Sequence, residues 1–312
     1  MTTSGGDVDM RGRRAVGVLG TAAAILGAAA VPAGASDPGV FVCNAETWQE
    51  FRTRTTYPGD VLLDGCGLSG VHVQGDVHVT APPPEFGGDW PELSDVRVDG
   101  DVVVRDAIVE LTDVTVGGDV LLVSANEVVL TGRVDGRVRG TTGTLWSAAD
   151  VGGIDVRFGL HDRGRDFLPG AALDDEDGGL QLREAHVRGA VTTRGGAVTL
   201  AETVVDGPLT SSSPTGMVLA ETAVGGAVTV RDAYGRVVLG GLRRSDGPWH
   251  WIDDGQQRQS SYGSLTLERN LGRVEVEHAD VAGDLACVGN ALPVLVDPAT
   301  TTVGGARTGQ CT

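Results

Sequence analysis

Apolar residues in this chain come in short alternating bursts, and a glycine returns between them. The motif is a Val, one residue, Gly, one residue, then Val or Leu. It reads VQGDV at Val73–Val77, VDGDV at Val98–Val102, VGGDV at Val116–Val120 and VDGRV at Val134–Val138. It returns as VRGAV (Val187–Val191), VDGPL (Val205–Leu209), VGGAV (Val224–Val228) and VAGDL (Val281–Leu285). Gly100, Gly118 and Gly136 are spaced by 18 and 18 residues; Gly189, Gly207 and Gly226 by 18 and 19. A fixed period of this length means one structural unit repeated and stacked.

One unit, read from Gly100, is GDVVVRDAIVELTDVTVG. Val102 and Val104, Val109 and Leu111, and Val114 and Val116 are period-2 pairs, each a short strand with one buried side. The pattern predicts an all-β fold: a single-stranded, three-sided parallel β-helix of about 18 residues per coil. Such coils bury their apolar pairs only by stacking, which predicts one continuous aliphatic column over roughly nine or ten coils. The motif glycine is expected at a corner where a Cβ would be crowded. Residues 44–54 (NAETWQEFRTR) predict a short N-terminal capping helix with Asn44 as its N-cap.

Three stretches break the period, near 82–89, 160–178 and 243–263. Matching flanks place the first two at the same corner and the third at a different one. Loops on a rigid scaffold are where binding residues concentrate. The third carries Trp249, His250, Trp251, Asp253 and Asp254, a candidate ligand-binding set. Tryptophan stacks on sugar rings and paired acids serve glycoside hydrolysis; the competing reading is that the tryptophans cover apolar flank. The second carries Asp174, Asp175, Glu176 and Asp177, a weak calcium candidate without EF-hand spacing, for which a solvated acidic turn is the better reading. Asp76, Asp101, Asp119 and Asp284 share one repeat position and read as a polar corner.

Composition fits a narrow interior: 41% of residues are hydrophobic but only 4% aromatic. Residues 1–35 combine Arg11, Arg13 and Arg14, an apolar run over Ala15–Val31 and the small-x-small triplet Ala33-Gly34-Ala35, which predicts a cleaved signal peptide. The alternatives are a membrane span, for which the run is short and Gly-broken, and a twin-arginine signal at Arg13-Arg14. Cleavage deletes two acids and three arginines, so the mature chain carries one more negative charge than the −18 of the whole sequence. That balance disfavours nucleic acid as a partner. No lysine is present, which removes Schiff-base and lysine-base chemistry. With the Ala/Gly/Val/Asp bias, this suggests a GC-rich bacterial source.

Cys43, Cys66, Cys287 and Cys311 form two close pairs near the two ends. In an oxidising compartment the simplest pairing is Cys43–Cys66 and Cys287–Cys311. The expected organisation is a signal peptide (1–35), an N-terminal cap (36–66), a solenoid (67–286) and a C-terminal cap (287–312).

The periodicity resembles that of right-handed parallel β-helix proteins, and the coil length is similar to that of the three-sided bactofilins. The resemblance covers about residues 60–305. It departs from bactofilins in the signal peptide and in the capped ends. A left-handed hexapeptide solenoid is the alternative, but strict hexads are missing. The resulting expectation is a secreted or cell-surface, monomeric structural or interaction solenoid with no cofactor, its partner a cell-envelope glycan or a surface protein. The alternative is a carbohydrate-binding or carbohydrate-active β-helix. Polygalacturonase motifs are absent, and the Arg and acid set at matching positions of neighbouring coils that a lyase with an Arg base would need is not found in the sequence. An ice-binding solenoid would need a flat Thr array.

Overall fold

A computed structural model describes residues 39–44, 46–51, 53–80, 91–159, 178–241 and 259–311. The chain parts into two units, Met1–Ser36 and Asp37–Thr312. The first unit, and with it the expected signal peptide, lies outside the described residues. The second is an all-β parallel solenoid of about 11 turns with almost no helix. The count exceeds the expected nine or ten because both cysteine-bearing end segments form turns of their own.

Its strands pair in register along three ladders. The first ladder runs through Val61↔Val77, Val77↔Val102, Val102↔Val120, Val191↔Leu209 and Leu265↔Leu285. The second runs through Leu68↔Leu93, Leu93↔Leu111, Leu111↔Leu130 and Leu200↔Leu219. The third holds the first valine of the repeated motif: Val73↔Val98, Val98↔Val116, Val187↔Val205 and Val205↔Val224. All of these residues are buried in one hydrophobic cluster. Residues between them point outward, as period-2 strands require.

Each corner has its own chemistry. Between the third and first ladders the motif glycines stack: Gly118 N donates to Gly100 O and Gly136 N to Gly118 O, both at 3.0 Å. A Cβ on Gly118 would lie 2.8 Å from Gly100 O. Crowding by the previous turn, as expected, demands glycine there. The other two corners need left-handed backbone, which glycines such as Gly70, Gly195 and Gly289 supply on some turns and non-glycine residues on most others. Asp106, Ser124, Ser213, Asp232 and Arg269 do so after the first ladder; Asp95, Asp113, Glu184, Glu202, Glu221 and His278 after the second.

The acidic corner row is structural. Asp76 Oδ1 accepts Asp101 N at 2.8 Å, Asp101 Oδ1 accepts Asp119 N at 2.7 Å, and Asp119 Oδ1 accepts Arg137 N at 2.8 Å. Asp284 does the same for Ala306 N. Asp60 begins the row by accepting Asp76 N at 2.9 Å. Each carboxylate thus satisfies an amide of the next turn, a charge-assisted bond stronger than a neutral one.

The N-terminal helix spans only Trp48–Phe51. Asn44 does not cap it. Its Oδ1 takes the amides of Glu46 and Thr47, closing a turn before the helix begins. Phe51 stacks on Tyr57 with ring centroids 5.0 Å apart, and Tyr57 donates its hydroxyl to Phe51 O at 2.9 Å. The disulfides pair Cys43 with Cys66 and Cys287 with Cys311, as expected. Each joins a first-ladder strand to the second-ladder region of the following turn, since Cys43 pairs with Leu63 and Cys311 bridges to Val294.

The first two expected insertions have flanks that leave the first ladder and rejoin the second. The third leaves the second ladder after Gly240 and rejoins the third ladder at Ser260, so Ser260–Gly263 belong to the paired scaffold and not to the loop.

Candidate functional site

The three ladders do not present equal faces. On the second, outward Thr199, Val218, Ala220 and Val238 are as buried as the core residues beside them. Glu275, on the same row, is only 8% exposed and is gripped by Arg236 Nη2 at 2.6 Å and by Arg273. The first and third ladders expose their outward rows to solvent.

On the first ladder lies an open depression of about 530 Å³. Its lining includes Leu121, Val123, Arg139, Asp155, Arg157 and Arg194. Alternation explains the set. In IDVR (Ile154–Arg157) and VTTR (Val191–Arg194) the first and third residues face the core, so Asp155, Arg157, Thr192 and Arg194 face out. Gly140, also in the lining, has φ +127°, and a Cβ there would collide with Leu122 O. The wall is therefore bare backbone at that point.

Arg157 and Arg194 are register partners on adjacent turns, about 4.8 Å apart along the axis. Arg139 is neutralised by Asp119 Oδ2 at 2.9 Å. Among the described residues neither Arg157 nor Arg194 meets a carboxylate, and Gly159, Gly195 and Gly196 follow them at the corner. Two guanidiniums without a carboxylate partner among the described residues thus share one edge of a partly apolar hollow, in a chain whose formal charge is −18.

The third ladder carries an ion-pair network whose charges compensate one another. Arg133 Nε meets Asp135 Oδ1 at 2.7 Å, and His186 Nε2 meets Asp206 Oδ2 at 3.0 Å. Arg188 Nε lies 3.0 Å from Asp150 Oδ1, a close ion pair whose atoms are not aligned as a hydrogen bond. Further along, Arg97 and His72 both grip Asp99. The Arg97 guanidinium, helped by His72, holds the Asp99 carboxyl below its usual range, and Arg133 does the same for Asp135.

Trp249, His250, Trp251, Asp253 and Asp254, and the acidic run Asp174, Asp175, Glu176 and Asp177, lie outside the described residues. Among the described residues no group of three His, Cys, Asp or Glu side chains is placed to hold a metal ion. Sequence reasoning missed the Arg157/Arg194 pair because 37 residues, including an insertion, separate them. The available signal was the strand pattern ending in Arg, repeated in VVVR, IDVR, VTTR and VTVR. Compared with known proteins, the chain matches no family model, no curated protein and no solved structure.

Proposed function

We propose that this protein is a secreted or cell-surface interaction scaffold, a rigid solenoid whose exposed faces recognise a ligand. The observation that carries the reading is the depression edged by Arg157 and Arg194, which meet no carboxylate among the described residues, on a hydrogen-bonded ladder. Free charge on a pre-organised surface favours binding, because little is spent on ordering the site. Two disulfides support an oxidising compartment. Among the described residues no helix is long and apolar enough to cross a membrane. Residues 1–35 act in this reading as the export signal. The molecule is a right-handed, three-sided coil, bactofilin-like in coil length. Offsets of 18 residues in Val102↔Val120 and Val191↔Leu209 support that coil size, and Phe41, Phe51 and Tyr57 close its N-terminal end.

The test is retention of the purified, disulfide-bonded protein on bacterial cell-envelope material. The reading expects saturable retention; protein that stays wholly in solution overturns it. A second reading, a carbohydrate-active β-helix, gains from one observation: Arg157 and Arg194 do occupy matching positions of neighbouring turns, with Asp155 beside them. It expects new chain ends when the protein is incubated with acidic polysaccharide. Binding without new ends leaves the scaffold.

A further inference from the structure

We infer that the first-ladder depression binds a carboxylate-bearing sugar chain, with Arg157 and Arg194 holding the carboxylates. This deepens the scaffold reading and rests on it.

The chemistry of the lining selects the ligand class. A guanidinium presents a planar fork of donors that matches a carboxylate with two parallel bonds. Arg157 and Arg194 offer two such forks on adjacent turns, and among the described residues no carboxylate already occupies them. Leu121 and Val123 give the hollow an apolar wall, suited to the C–H faces of a sugar ring rather than to a bare ion. Asp155 stands in the same hollow, two residues from Arg157. As an acceptor it takes hydroxyl donors, and as a charge it repels densely anionic ligands. Thr141, also in the lining, adds a hydroxyl. A ligand that satisfies all of these carries spaced carboxylates, hydroxyls and apolar ring faces together, which describes a uronic acid oligosaccharide. A phosphate backbone fits poorly, since two cations on a strongly acidic chain supply little of the charge such polymers need.

The hollow crosses four successive first-ladder rungs, those of Leu121, Arg139, Asp155 and Arg194. At about 4.8 Å per rung this gives an extended seat longer than one ring.

Isothermal titration calorimetry of the disulfide-bonded protein tests this, with a galacturonic acid oligosaccharide, its methyl ester, sodium sulfate and an oligo-aspartate as probes. The acidic oligosaccharide is expected to bind, and to bind more weakly as salt is raised. The methyl ester and the Arg157→Gln/Arg194→Gln variant should each lose roughly tenfold or more, the scale of a lost charge-assisted hydrogen bond. Arg307→Gln, at the far end of the same ladder, should bind as the unaltered protein does. No binding of the acidic oligosaccharide overturns the inference. So does ester binding as tight as acid binding, a comparison that needs no variant. Sulfate or oligo-aspartate binding as tightly as the sugar acid also overturns it, by removing the sugar. Envelope retention that persists while the oligosaccharide fails sinks this inference alone; loss of both sinks the scaffold as well.

Discussion

Gly118 and Asp113, five residues apart, show that glycine and left-handed backbone are separate requirements in this solenoid. Gly118 has ordinary backbone but no room for a Cβ, because Gly100 O of the preceding turn is 2.8 Å from where it would sit. Asp113 has φ +53° and keeps its side chain. Gly118→Ala should therefore destabilise by about 1–3 kcal/mol, the range for overpacking. Asp113→Gly should be near neutral, since relief of left-handed strain offsets the entropy of glycine. Urea unfolding of both variants checks this; equal losses would show that backbone conformation, not crowding, selects the glycines. The corner aspartates invite a second comparison. Asp101→Ala strips Asp119 N of its acceptor and should cost about 1–3 kcal/mol, while Asp101→Asn keeps an Oδ1 there and should cost less. Equal costs would assign the row's role to charge instead. The row was visible in the sequence wherever Val-x-Gly-Asp recurs. Asp60 escaped because Tyr57 replaces the valine in YPGDV, yet Tyr57 occupies the valine position in the third ladder. The left-handed Asp, Glu and Ser residues were not visible, because the same side chains serve equally on an extended surface.

At the scale of the strand and its ladder, alternation was the readable part. Val102 and Val104, or Val114 and Val116, announce one buried side each, and the structure buries them. What alternation does not tell is which outward residues become neighbours once a loop intervenes. Arg157 and Arg194 are adjacent only because the chain resumes the ladder after residues 160–177. Outward ion pairs that cross turns have a further consequence. Asp99 meets His72 of the previous turn and Asp232 meets Arg269 of the next. Arg97, then His72, depresses the Asp99 carboxyl, and Arg269 depresses that of Asp232. A folded-state value below the unfolded one contributes stability that is complete above the ordinary carboxylate range, near pH 4. That stability is lost as pH falls through the lowered folded value. The melting temperature should thus drop on acidification below about pH 4. Asp99→Asn/Asp232→Asn should shrink the drop modestly, since both carboxylates are exposed and screened. Parallel acid limbs for the two proteins would exclude these pairs as contributors.

For the whole molecule, the governing fact is that the backbone ladders of the described residues join each turn only to its neighbours, with the Arg188 side chain reaching one turn further to Val134 O. Stability in such an array is a sum of local turn terms and interfaces, so a perturbation stays near its origin. Both disulfides tie a terminal turn to the next one inward, Cys43 to Cys66 and Cys287 to Cys311, with sequence separations of 23 and 24 residues. The loop-closure model gives about 3 kcal/mol for each. In a globular domain that loss would lower protection throughout. Here it should fall on the ends, because opening a terminal turn leaves the central ladders paired. Hydrogen exchange with the cysteines reduced and alkylated tests the difference. Amides of Val61–Leu63 and Leu285–Val288 should exchange faster, while those of Val191–Arg194 and Leu209–Ser212 keep their protection. A uniform loss across all four strands would mean that the solenoid unfolds as one cooperative unit, with the disulfides stabilising every turn through it.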